Sequence, residues 1–129
     1  AFIGKPFDPK NETFEASFGT SRARFDYYAR KRLENVHLQN TAPTYGWVKE
    51  AVGVTKVLLD KELDRQIETP LLLCQASRDT VVCLPEQNRF VSLLPHAQLR
   101  AFDAKHEIYM STNDIMREYV PTVIEFLRG

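Results

Sequence analysis

Pro70-Leu71-Leu72-Leu73-Cys74-Gln75-Ala76-Ser77-Arg78-Asp79 is the stretch that decides the fold. Leu71 to Cys74 are apolar at consecutive rather than alternating positions, the pattern of a strand covered on both faces. Ser77-Arg78-Asp79 then ends the run with turn-forming residues. A second short run, Ala97-Gln98-Leu99-Arg100-Ala101-Phe102, is followed by Asp103-Ala104-Lys105-His106. Between them, Pro85 suits the first turn of a helix that places Phe90, Val91 and Leu94 on one side and stops at Pro95. A last helix, capped by Asn113 or Asp114, carries Ile115, Tyr119, Val123, Phe126 and Leu127. Pro121 inside it should kink it or mark a break, and Arg128 with Gly129 makes a favourable end. Strand–helix–strand–helix with short connections predicts a parallel βαβ unit, so the fold class is α/β. Two strands alone leave open edges, so each edge is expected to pair with something, whether the rest of a larger sheet or another copy of the chain.

Working back towards residue 1, Asn40-Thr41-Ala42-Pro43 is a turn and Thr44 an N-cap. Trp47, Val48, Ala51, Val54, Val57, Leu58 and Lys61 mark a long helix to about Glu62, and Leu63 to Glu68 leads into the first strand. Gly53 inside that helix costs about 1 kcal/mol against Ala. Residues 1–43 differ in composition: Phe2, Phe7, Phe14, Phe18, Phe25, Tyr27 and Tyr28 are interleaved with charges, and Gly4, Pro6, Pro9 and Gly19 break the first half. Phe25, Tyr28, Ala29 and Leu33 recur at helical spacing, predicting a helix from Ser21 to Glu34. It carries Arg22, Arg24, Arg30, Lys31 and Arg32 against only Asp26 and Glu34. Such a face suits either anionic head groups or plain solvation above packed aromatics. The expected division is therefore 1–43 as a separate covering segment and 44–129 as core.

A chain of 129 residues, 43% hydrophobic and 26% charged, is ample for one domain with a real core. Its formal net charge of zero gives no global field for nucleic acid, so no nucleic-acid partner is expected. Cys74 and Cys83 do not suggest a disulfide framework; Cys74 reads as a small strand hydrophobe. No apolar run approaches the roughly 20 residues of a membrane span, and no signal-peptide pattern is present, so a cytoplasmic location is expected. The opening Ala1-Phe2-Ile3-Gly4-Lys5-Pro6-Phe7 lacks Met and an entry turn, which favours a chain trimmed from a larger precursor.

Ligands of open α/β sheets bind at the carboxyl ends of the strands, where Asp79 and His106 both fall. Asp before His in that setting is the second half of a Ser–Asp–His order, with Asp79 orienting an imidazole that acts as base. The ordinary alternatives are an Asp79 that only satisfies backbone N–H groups of its own turn and a surface His106. Asp103 competes as the acid but sits on the histidine's own loop, and Glu107 should point elsewhere. His37 and His96 have no such setting. No Cys/His cluster has metal-ligand spacing, so no metal is expected, and no Gly-rich phosphate loop is present. The nucleophile is the missing member. Gly19-Thr20-Ser21-Arg22-Ala23 approaches Gly-x-Ser-x-Gly, but the half-polar run before Ser21 is not a covered strand, so the serine is expected upstream of residue 1.

Three stretches resemble the bacterial lysophospholipase and monoacylglycerol-lipase group of α/β-hydrolases. Thr20-Ser21-Arg22 through Phe25, with Asn40 to Val48, is similar to the inserted cap and the helix leading back to the core. Pro70 to Asp79 with Thr80-Val81-Val82 resembles the group's acid strand and turn. Ala104-Lys105-His106-Glu107-Ile108 resembles its histidine loop. The resemblance implies the C-terminal portion of an α/β-hydrolase, with residues 1–43 as cap and 44–129 as the last strand–helix–strand–helix of the core. It implies Asp79 as triad acid, His106 as general base, and a serine ester hydrolase without metal or organic cofactor. A lysophospholipid ester is the substrate it implies, and peripheral contact with the inner membrane of a bacterium is the expected setting. Arg22, Arg24 and Arg30 would meet the phosphate, and the aromatic cap with Trp47 would wall the acyl chain. The absent nucleophile elbow implies that the missing N-terminal part is a required partner and that the isolated chain is inactive. A monoacylglycerol lipase or general carboxylesterase, and a non-catalytic α/β interaction module, are the alternatives.

Overall fold

A computed structural model describes residues 6–58 and 67–129. Helix α1 (Arg22–Glu34) and helix α2 (Tyr45–Leu58) precede strand β1 (Leu71–Ala76). Helix α3 (Leu84–Leu93), strand β2 (Ala97–Phe102) and helix α4 (Asn113–Arg128) follow, with one-turn 3-10 segments at Pro9–Asn11, Val36–Leu38 and Ile108–Met110. The expected continuation of α2 to Glu62 and the lead-in from Leu63 fall largely outside the described residues.

β1 and β2 pair in parallel, from Leu71 opposite Ala97 to Ala76 opposite Phe102. The βαβ unit read from the sequence is therefore present, with boundaries within a residue of those expected. Among the described residues the sheet has these two strands alone, so both outer edges lack a strand partner. That leaves Leu71 to Cys74 half-buried rather than fully covered, and only Gln75 and Ala76 buried. Gln75 turns its amide towards α3, where Nε2 donates to Gln87 Oε1 and Asn88 Oδ1, both at 3.0 Å. Cys74 packs against the core as a free thiol, and burial pushes its pKa up. Cys83 is exposed.

The core gathers at the carboxyl ends of the strands. Ala76, Phe102, Ala104 and Ile108 are buried there, with Ile115 and Tyr119 of α4 against them. Phe102 and Tyr119 meet edge to face, 5.4 Å between ring centres. Burying one such aromatic contributes roughly 1.5–3 kcal/mol. Ala76 and Ala104 of this cluster lie three and two residues from Asp79 and His106 along the chain.

Local sequence explains the helix ends, with two corrections. Cys83 precedes α3 with Pro85 in the first turn, and the helix stops before Pro95 as expected. The N-cap position of α4 is Thr112, one residue before the expected Asn113 or Asp114, and its side chain accepts no capping hydrogen bond. The Asp114 carboxyl is held below its usual value, first by a hydrogen bond with Thr112 and then by backbone N–H groups of the first turn. α4 also runs unbroken through Pro121. Pro121 cannot donate to Arg117, and the neighbouring Thr122 hydroxyl donates to the Glu118 carbonyl at 2.8 Å.

α1 buries Phe25, which packs on Phe14 with ring centres 5.8 Å apart. Tyr28 and Leu33, expected on the same covered stripe, are exposed among the described residues. α2 exposes Tyr45, Trp47, Val52, Val54 and Val57, with Val48 and Ala51 half-buried. Its first turn is held as expected, Thr44 Oγ1 accepting from Trp47 N at 3.1 Å. No described helix is long and apolar enough to cross a membrane.

Candidate active site

The sheet ladder continues past both strand ends. Ser77 N–H donates to the Phe102 carbonyl at 2.9 Å, and Arg78 N–H to the Ala104 carbonyl at 3.0 Å. These bonds fix the two loops in register and bring Asp79 to His106. Asp79 N–H closes a turn onto the Ala76 carbonyl at 3.1 Å. Its Oδ1 accepts from Val81 N–H at 2.7 Å and Val82 N–H at 3.2 Å, while Oδ2 lies 2.8 Å from His106 Nδ1. The turn hydrogen bonds and the imidazole contact are thus both present, one on each oxygen.

An ionised carboxylate only accepts, so Nδ1 carries the proton in this contact. In the neutral ring Nε2 is then the unprotonated nitrogen, the state required of a general base. The Asp79 side chain is 4% exposed and His106 is 36% exposed. The carboxylate is covered and the imidazole is accessible.

Burial alone pushes the Asp79 carboxyl up, but the His106 hydrogen bond and the Val81 and Val82 N–H groups outweigh it and hold the pKa below its ordinary value of 3.8. A depressed carboxylate stabilises the folded state above its unfolded pKa and loses that contribution as pH falls through the folded value. The loss should therefore fall below about pH 4. Urea midpoints measured from pH 5 to pH 2 should decline less steeply in Asp79→Asn than in the parent chain; equal slopes would contradict the assignment.

The competing acids are engaged elsewhere. Asp103 Oδ1 pairs with Arg78 Nε at 2.7 Å and is 75% exposed. Arg78 also donates to the Asp103 carbonyl at 2.8 Å, a second tie between the two loops. Glu107 Oε1 accepts from the Tyr109 hydroxyl at 3.1 Å. Ser21 is the N-cap of α1, its buried Oγ accepting from Arg24 N–H at 3.3 Å, so its hydroxyl serves the helix end. The described residues contain no cluster of His, Cys, Asp and Glu able to hold a metal.

The arginines of α1 have separate surroundings. Arg22 Nε pairs with Asp26 at 2.8 Å, and Arg30 lies 3.9 Å from Glu34 and over the Tyr27 ring; both arginines are well exposed. Arg24 instead reaches across to the start of α4, donating to the Ser111 carbonyl at 2.8 Å and Asn113 Oδ1 at 2.9 Å. Arg32, read from sequence as one more cation of the face, is buried. It pairs with Glu12, donates to the carbonyls of Leu38 at 3.1 Å and Asn40 at 2.6 Å, and lies over the Phe7 ring. The structure thus brings Asp79 and His106 together. It leaves Arg22 and Arg30 on the α1 surface and Trp47 exposed on α2.

One neighbour of His106 was not singled out from sequence: the Phe18 ring meets the imidazole edge to face, 5.9 Å between centres. A cleft of about 290 Å3 opens beside it, lined by Phe18, Phe25, Tyr28, Arg32, Glu107 and Met110 among others. A wider cavity of about 690 Å3 lies against Pro70, Leu72, Arg100 and Phe126, and neither Asp79 nor His106 lines either space.

No family model matches the chain, and no solved structure matches it. The chain is similar to a curated protein of Haemophilus influenzae (strain ATCC 51907 / DSM 11121 / KW20 / Rd) named probable lysophospholipase L2, 25% identical over 107 residues. The match takes in 82% of this chain and 34% of that protein, so the chain spans about a third of the relative's length. The chain is thus a mixed α/β chain whose Asp79 and His106 meet at the ends of parallel strands, and it is similar over 107 residues to a probable lysophospholipase.

Proposed function

We propose that the chain supplies the acid and base of a serine ester hydrolase acting on lysophospholipids, as the C-terminal portion of an α/β-hydrolase. The observation that carries this reading is the 2.8 Å contact between His106 Nδ1 and Asp79 Oδ2, with the other carboxylate oxygen tied to its own turn. The likeness to the probable lysophospholipase agrees with it. The nucleophilic serine comes from a segment outside residues 1–129. That serine attacks the ester carbonyl while His106 Nε2 takes its proton, and the imidazolium returns the proton to the leaving glycerophospho oxygen. Asp79 holds the tautomer and stabilises the imidazolium. Water, deprotonated in turn by His106, attacks the acyl-serine; the acyl–oxygen bond breaks, the imidazolium returns the proton to the serine oxygen, and the fatty acid leaves.

In this reading the α1 cations face the phosphate and the exposed Trp47 indole adds to the apolar wall for the acyl chain. Arg24 already serves the α4 junction, so Arg22 and Arg30 are the informative pair. Reversing both to Glu in the complete protein should lower kcat/KM for a lysophospholipid relative to a monoacylglycerol by about tenfold, the value of one charge-assisted contact. An unchanged ratio would support the second reading, a neutral-lipid or general carboxylesterase. The pairing of Arg22 with Asp26 and of Arg30 with Glu34, which neutralises much of that face, favours this second reading.

A further inference from the structure

His106 is bracketed by two residues that hold the same N-terminal strap. Lys105 Nζ donates to the Ser17 carbonyl at 3.1 Å, and Glu107 N–H donates to the Phe18 carbonyl at 3.0 Å. Further along, Thr20 and Ser21 N–H both donate to the Met110 carbonyl, at 3.1 and 3.0 Å, and Thr112 N–H donates to Thr20 Oγ1 at 3.3 Å. Gly19 sits at the closest approach. A Cβ placed there would lie 2.7 Å from Met110 Cβ and 2.9 Å from the Met110 carbonyl oxygen, so backbone would have to move. Phe18, carried by the same strap, sets its ring edge to face with the imidazole. We propose that Phe18 and Gly19 are positioning residues for the base, so that the segment before α1 sets the orientation of His106. This rests on the reading of Asp79–His106 as an acid–base pair, and it extends it: the covering segment and the base move as one unit.

The test is NMR of the chain carrying 15N-imidazole histidine, which reads the tautomer of His106 directly and apart from His37 and His96. The parent chain should show His106 as the Nδ1–H tautomer. Gly19→Ala and Phe18→Ala should each lose that bias towards the mixture of a free imidazole, while Phe18→Tyr, which keeps the ring, should retain it. Leu94→Ala, in a buried position at the far end of α3, supplies ordinary destabilisation and should leave the tautomer unchanged. Phe18 is 46% exposed, so its variants test the idea even if Gly19→Ala fails to fold. An unchanged tautomer in Phe18→Ala, or an equal loss in Leu94→Ala, would overturn the strap's role while leaving the pair intact. A parent chain without the Nδ1–H bias would overturn the acid–base reading itself.

Discussion

Asp79→Asn in the complete protein is expected to lower kcat on a lysophospholipid by about 10,000-fold, the scale on which a serine triad loses its tautomer control. The substitution preserves shape. An Asn carbonyl can still accept from Val81 and Val82 N–H, which Oδ1 now bonds at 2.7 and 3.2 Å. The amide, however, would donate towards His106 Nδ1, now 2.8 Å from Oδ2, and that requires Nδ1 to be unprotonated. The proton then moves to Nε2, where a base must have none. The effect belongs in kcat rather than KM, because the pair touches the reacting proton and not the bound lipid. Circular dichroism should show an unchanged fold beside the kinetic loss. A loss below tenfold would mean that the contact is structural.

Arg32→Ala should produce the largest stability loss, about 3 kcal/mol, measured as a shift in the urea midpoint. Its side chain is 6% exposed, while Glu12, its ion-pair partner, is 24% exposed. Removing the guanidinium strands that carboxylate and frees two carbonyls, those of Leu38 and Asn40. It also removes the cation over the rings of Phe7 and Tyr28. One side chain therefore joins the start of the chain, α1 and the turn after α1. Arg30→Ala, on the exposed side of the same helix, should shift the midpoint far less because its pair with Glu34 is solvated. Similar losses at the two positions would refute the buried role of Arg32.

The sequence made the βαβ unit legible because its signals are local. An unbroken apolar run, Pro85, Pro95 and a second short run set β1, α3 and β2 nearly to the residue. The meeting of Asp79 and His106 followed from the same pattern, since parallel strands in register bring their end loops together. The parts that were not legible are contacts between distant segments. Arg24 and Arg32 look alike on a helical wheel, but one is drawn 87 residues away to Ser111 and the other is covered by Glu12 and the turn at Leu38 to Asn40. Phe18 was legible only as one aromatic of the first segment and Gly19 only as a chain break, because the strap bonds mostly through its backbone, which leaves no periodicity to read. The cap of α4 shifted to Thr112 for a local reason: Thr, Asn and Asp in succession all suit an N-terminus.

The claim that Asp79 and His106 serve a serine nucleophile is tested most directly by fluorophosphonate labelling of the complete protein and its His106→Ala variant, with peptide mapping of the adduct. The account predicts a labelled serine outside residues 1–129, with labelling abolished by the substitution. Label on Ser21, or labelling that survives the loss of His106, would contradict it.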